Sequence, residues 1–83
     1  MDTSPVEIVC FAGLKKYFGS GTTVSVESGA SFSRVIDELI RIRPEAEQVL
    51  LSSRVVVNEE FVSLHEKMQS VRTIFLIPPS SGG

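Results

Sequence analysis

The six residues Pro78, Pro79, Ser80, Ser81, Gly82 and Gly83 carry the most specific chemistry in the sequence. The prolines cannot donate to a sheet ladder and they hold the backbone extended. Two small hydroxyl residues follow, and then two residues with no side chain. Six extended residues reach roughly 20 Å. Such a tail can thread a narrow slot in another protein and present one functional group there, the Gly83 carboxylate. Glycine suits this task because it admits close approach of other atoms from every side. A Gly-Gly ending alone is common at chain termini. Here it follows the apolar run Ile74-Phe75-Leu76-Ile77 and a proline pair, a more specific combination.

Side-chain chemistry elsewhere is sparse. His65 could serve as a base, as imidazoles often do, but no sequence neighbour suggests an orienting acid, and a solvated loop histidine is expected. Cys10 alternates with Val6 and Ile8, which predicts an inert core thiol rather than a nucleophile. Asp37 and Glu38 are adjacent on a helical pattern, so they do not face each other and belong to a solvated surface. No His, Cys, Asp and Glu set has metal-ligand spacing. Gly19-Ser20-Gly21 lacks the Lys-Ser/Thr of a phosphate loop and reads as a turn. Any acid–base catalysis is therefore expected from a partner.

Composition limits the remaining classes. The chain has 83 residues, 10 acidic and 8 basic side chains, and a formal net charge of −2. That balance argues against tracking nucleic-acid phosphates. With 42% hydrophobic and 22% charged residues, the sequence suits one globular domain spanning 1–83, with its tail at 78–83. The single cysteine excludes an intrachain disulfide framework. Met1-Asp2-Thr3-Ser4-Pro5 carries an acid where a secretory signal carries positive charge, and Ile74–Ile77 is far too short to cross a bilayer. A cytoplasmic protein without membrane contact is expected.

The elements that must position the tail follow from periodicity. Val6–Phe11 predicts a strand with Val6, Ile8 and Cys10 on one face. Thr22–Glu27 predicts its hairpin partner, with Val24 and Val26 inward; Leu14–Phe18 between them is helical or irregular. Phe32, Val35, Ile36, Leu39 and Ile40 trace one helix face, preceded by Gly29 and by Ser31 as N-cap. Pro44 ends that helix or begins a short second one through Ala46 and Leu50. Arg54–Val57, a turn at Asn58-Glu59-Glu60, and Phe61-Val62 predict a second hairpin. His65–Ser70 reads as a polar loop and Val71–Ile77 as the last strand. Its final four residues are apolar on both faces, as for a central strand covered on one side and touched by something on the other. One helix packed across a mixed sheet, with the first and last strands parallel at its middle, is an α+β fold of the β-grasp type.

With those pieces in place, the sequence resembles the small, sulfur-carrying subunits of molybdopterin synthase, members of the ubiquitin-like β-grasp superfamily. The matching residues are Cys10-Phe11-Ala12-Gly13-Leu14-Lys15, Val56-Val57-Asn58-Glu59-Glu60-Phe61-Val62, and Phe75-Leu76-Ile77-Pro78-Pro79-Ser80-Ser81-Gly82-Gly83. The likeness covers essentially the whole chain, and the Pro-Pro-x-x-Gly-Gly ending is its most specific part. The family commonly has a Gly-Asp turn before its last strand; this chain has Gln69-Ser70-Val71-Arg72 instead.

The resemblance implies that an adenylating and sulfurating enzyme of the ubiquitin-activating type uses ATP on the Gly83 carboxylate and converts it to a thiocarboxylate. No permanently bound cofactor is implied. The charged tail, with Pro79, Ser80, Ser81 and Gly82 lining the partner's slot, would enter the large synthase subunit within a heterotetramer. Sulfur would pass to a cyclic pyranopterin precursor, forming the dithiolene of molybdopterin. Phe11, Phe61 and Ile77 lie at strand ends near the tail, where the resemblance puts the interface; Lys15 would add an ionic contact to the activating enzyme. A carrier for thiamine synthesis or tRNA thiolation, or a ubiquitin-like modifier joined to lysines through Gly83, are the alternatives.

Overall fold

The computed structural model describes residues 2–69 and 71–79. The first strand, β1 (Thr3–Cys10), pairs antiparallel with β2 (Gly21–Glu27), with Val6 opposite Val24. It begins three residues earlier than its apolar alternation predicts, because the hairpin pairing continues to Thr3 opposite Glu27. Pro5 is tolerated there because β1 meets the last strand only from Glu7 onward. Between β1 and β2, a 3-10 turn (Ala12–Leu14) and the short helix α1 (Lys15–Phe18) bury Leu14.

The principal helix, α2 (Phe32–Ile42), buries Phe32, Val35, Ile36 and Leu39 against the sheet. Each such side chain, fully removed from water, contributes about 1.5–3 kcal/mol. Its start differs from the sequence expectation. Ser31 makes no side-chain cap; its hydroxyl pairs with that of Ser33 at 2.7 Å. The first helical amides instead donate to a distant loop, Phe32 to the Glu66 carbonyl and Ser33 to the Leu64 carbonyl, each at 3.0 Å. Orphan donors at a helix start need some acceptor, and backbone carbonyls serve as well as a hydroxyl. The same loop buries Met68 and ties its amide to the Ala30 carbonyl at 2.8 Å, so it is less polar than its sequence suggests. After α2, Pro44 opens a second short helical passage, a 3-10 turn (Pro44–Ala46) running into α3 (Glu47–Ser52).

Two further strands, β3 (Arg54–Val57) and β4 (Glu60–Val62), form the second hairpin. Its turn is the pair Asn58-Glu59, with φ of 52° and 67°. Glu60 is therefore not part of the turn as the sequence suggests, but pairs with Val57. Two consecutive positive φ values match the right-handed twist of the flanking strands. The last strand, β5 (Thr73–Ile77), starts two residues later than the Val71 that the sequence reading gives, although the Arg72 carbonyl still accepts from the Glu7 amide at 2.7 Å. β5 lies parallel to β1 and antiparallel to β3, giving the order β2-β1-β5-β3-β4. With the first and last strands parallel at the centre and α2 across one face, the fold is the ubiquitin-like β-grasp, as the sequence predicts.

Candidate docking face and tail root

Register sorts the strand side chains onto two faces. Cys10, Leu76, Val55 and Val62 form one cross-strand row that points toward α2. The adjacent row Val9, Phe75, Val56 and Phe61 points away, because successive strand residues alternate. Among the described residues no helix covers this second face. Phe61 is 65% exposed, Phe75 42%, and Phe11 and Ile77 39% each. Phe11 keeps extended backbone just past β1, with φ −126° and ψ 158°, and its ring meets Phe75 edge-on with centroids 5.9 Å apart. Across the patch the Arg54 guanidinium sits over the Phe61 ring, 5.6 Å from its centroid, and Arg54 pairs in register with Ile77.

The face is divided by polarity. Away from the tail, the row Thr23, Glu7 and Thr73 is polar, and the Thr73 hydroxyl donates to Glu7 Oε1 at 3.4 Å. A shallow cleft of about 790 Å³ lies there, lined by Glu7, Thr23, Arg72 and Thr73 among others. The apolar half surrounds the point where β5 runs into Pro78, which is buried, and Pro79, which is exposed. Pro78 and Pro79 thus follow the sheet beside the exposed aromatic cluster. An exposed apolar patch of this kind on a small domain is a docking signal.

The structure brings Phe11, Phe61 and Ile77 onto this one face. Lys15 is exposed at the start of α1, and Pro79 is exposed at the tail root. Ser80, Ser81, Gly82 and Gly83 lie outside the described residues. Sequence reading missed Phe75, Val56, Val9 and Arg54. The available signal was the spacing of Phe75 and Ile77, which must share a face if both lie in one strand.

The remaining candidates are structural. Cys10 is buried, and burial pushes its thiol above its ordinary value, leaving little thiolate to react. His65 is exposed, and its backbone amide donates to the Ser63 hydroxyl at 3.1 Å. Glu38 is bound to Arg41 and to Arg34, each at 2.9 Å, and those two hydrogen bonds hold its carboxyl below the usual range. Among the described residues no three His, Cys, Asp or Glu side chains come together as a metal site. None of their helices is long and apolar enough to cross a membrane.

Comparison with known proteins adds an independent line. No protein-family model matches the chain. The molybdopterin synthase sulfur carrier subunit of Arabidopsis thaliana is 33% identical over 85 aligned positions, covering 99% of this chain and 88% of that protein. Among solved structures, SAMP1 from Haloferax volcanii superposes with a TM-score of 0.80 at 27% identity, covering 96% of this chain and all of that one. A Pyrococcus furiosus protein provisionally described as molybdopterin converting factor, subunit 1, gives a TM-score of 0.77 over 92% of this chain and 98% of its own; at 18% identity it speaks to the fold alone.

Proposed function

The chain belongs to the family of the molybdopterin synthase sulfur carrier subunit, and from that membership we propose that it carries sulfur on the Gly83 carboxylate. The observation that carries this reading is the 33% identity with the plant sulfur carrier over 99% of this chain. The exposed apolar face at the tail root is the surface such a subunit needs in order to dock.

The chemistry follows from what a carboxylate can do. It is a poor acyl electrophile, so a carboxylate oxygen first attacks the α-phosphate of ATP and pyrophosphate leaves. A sulfur nucleophile then adds to the acyl carbon of the adenylate, and AMP departs with the bonding pair, leaving a thiocarboxylate. In the large subunit the thiocarboxylate sulfur bonds to a carbon of the pyranopterin precursor as an oxygen substituent leaves that carbon with the bonding pair. Water then attacks the acyl carbon, the acyl C–S bond breaks, the sulfur stays on the precursor and Gly83 returns to a carboxylate. Each carrier delivers one sulfur, so a dithiolene consumes two charged carriers. Glycine at the last two positions keeps both acyl steps open to attack, and the partners supply the acid–base groups.

In this reading Phe11, Phe61 and Ile77 are interface residues for the large subunit, joined by Phe75. Pro79, Ser80, Ser81 and Gly82 line the slot, and Lys15 contacts the activating enzyme. Assembly is a heterotetramer with the large subunit, in the cytoplasm.

The test uses the chain prepared with a Gly83 thiocarboxylate. Mixed with a large subunit and precursor, it should form the dithiolene in a single turnover without ATP. Deleting Gly83, or adding one residue after it, should abolish transfer while leaving the fold intact. Activity of an extended, uncleaved chain would overturn the reading, and transfer to a thiazole synthase instead would move the protein to the thiamine pathway. The likeness to SAMP1 favours a second reading, a ubiquitin-like modifier. Isopeptide linkage to lysines without sulfur transfer would support that one.

A further inference from the structure

Arg54 is a charge on the apolar face that the docking proposal leaves unexplained. Arg54 occupies the tail end of β3, directly in register with Ile77, and its guanidinium rides on the ring of Phe61. Phe61 is the most exposed large apolar side chain of the patch. A partner that takes Phe61 into a socket must also take the guanidinium stacked on it, or strip water from most of its edge. The salt bridges among the described residues gather on the helix side, at Glu27, Arg34, Glu38 and Arg41, and Arg54 takes part in none of them.

We propose that the large subunit presents a carboxylate beside its Phe61 socket, and that Arg54 selects the partner by pairing with it. The inference rests on the sulfur-carrier reading and names the chemistry of its partner surface. A guanidinium offers five N–H donors in a planar fork and stays charged at every accessible pH. Placed at the edge of an apolar contact, it keeps its hydration or finds an anionic acceptor, because a desolvated unpaired charge is costly. A carboxylate matches the fork with two parallel hydrogen bonds, which a lone carbonyl cannot do. The pair would also orient the carrier: it lies on the β3–β4 side of the tail root, so it breaks the rough symmetry of a purely apolar patch. A partner with a basic rim would be rejected by the same group.

Calorimetric binding of the intact chain to its large subunit tests this at low and high ionic strength. Arg54→Glu should weaken binding by about 30-fold or more at low salt, since truncated or reversed interfacial charge pairs cost that much. Arg54→Gln should fall between it and the wild type, and the spread should narrow at high salt. Lys67→Glu changes net charge by the same amount beside the start of α2, where Lys67 bridges Ser31, and controls for long-range effects. It should stay within about threefold of wild type, as distant rim charges act mainly through screened fields. Melting curves check folding, and Arg54→Gln serves as the readout if Arg54→Glu is unfolded. Arg54→Glu and Arg54→Gln binding no worse than Lys67→Glu, or tighter than wild type, would overturn the proposal. Phe61→Asp separates the two levels: if it weakens binding while the Arg54 variants do not, only the carboxylate is wrong. If wild type does not bind, or Phe61→Asp has no effect, the docking reading itself fails and takes this inference with it.

Discussion

Phe11, one residue past the end of β1, meets Phe75 of β5 edge-on, with ring centroids 5.9 Å apart and planes at 63°. The two are distant in sequence, and only the parallel pairing of Cys10 with Leu76 brings them together. Edge-on aromatic pairs add about 0.5–1.5 kcal/mol beyond burial. Here the pair stays exposed on the outer face of the sheet, so it forms an apolar platform near the tail root rather than filling the core.

That platform should bind without holding the fold. Phe61→Asp and Phe75→Ala are each expected to weaken association with the large subunit by about tenfold or more, in the range of interface anchors. Their effect on melting should be smaller than that of Leu39→Ala, a fully buried helix residue expected to cost about 2–5 kcal/mol. Titration calorimetry and thermal melts on the three variants check this. An unfolded Phe61→Asp protein would mean that Phe61 supports the core.

The β3–β4 turn carries removable strain. Glu59 sits at φ 67° directly after Asn58 at φ 52°. Asn accepts this left-handed region readily, whereas a long side chain does not, and Gly is preferred at the second turn position. Glu59→Gly should therefore stabilise the protein by about 0.5–1 kcal/mol after the entropy that glycine costs the unfolded chain is counted. For a domain of this size that raises the melting temperature by several degrees. An unchanged or lower melting temperature would contradict the strain.

Gly21 is needed for a different reason. A Cβ added there would lie 2.5 Å from the Ile8 carbonyl oxygen, a backbone atom that cannot rotate away. Gly21→Ala should push β2 from β1 and cost about 1–3 kcal/mol, in the range of overpacking changes. Amide exchange should show the loss first at the Val9–Gly21 end of the hairpin. Uniform protection along β1 and β2 would argue against it.

Acid should weaken the helix surface through Glu38. Its hydrogen bonds to Arg41 and Arg34 lower its folded-state pKa, so the unfolded chain takes up this proton at higher pH than the folded one. The contribution is complete above the unfolded value, near about 4.3, and is lost as pH falls through the lower folded value. The wild-type melting temperature should therefore drop on acidification through that window. Glu38→Gln, which has no proton to take up, should show a shallower drop in the same buffers.

The sequence by itself determined the elements and the tail. Alternation of Val6, Ile8 and Cys10, of Val24 and Val26, and the spacing of Phe32, Val35, Ile36 and Leu39 are local patterns, and each shows its buried face without reference to the rest of the chain. The order of those elements, with the Pro-Pro-x-x-Gly-Gly ending, sufficed for the β-grasp and for the family. Tertiary structure decided what local patterns cannot carry. Ile74–Ile77 is apolar on both faces, so only pairing with β1 and β3 shows that Ile74 and Leu76 are inside while Phe75 and Ile77 stay open. The cap of α2 by Leu64 and Glu66, the burial of Met68, and the seat of Arg54 on Phe61 are likewise products of long-range packing. Their signals are absent from the sequence because a backbone carbonyl has no side-chain identity, and a strand's outer face is defined only by its neighbours.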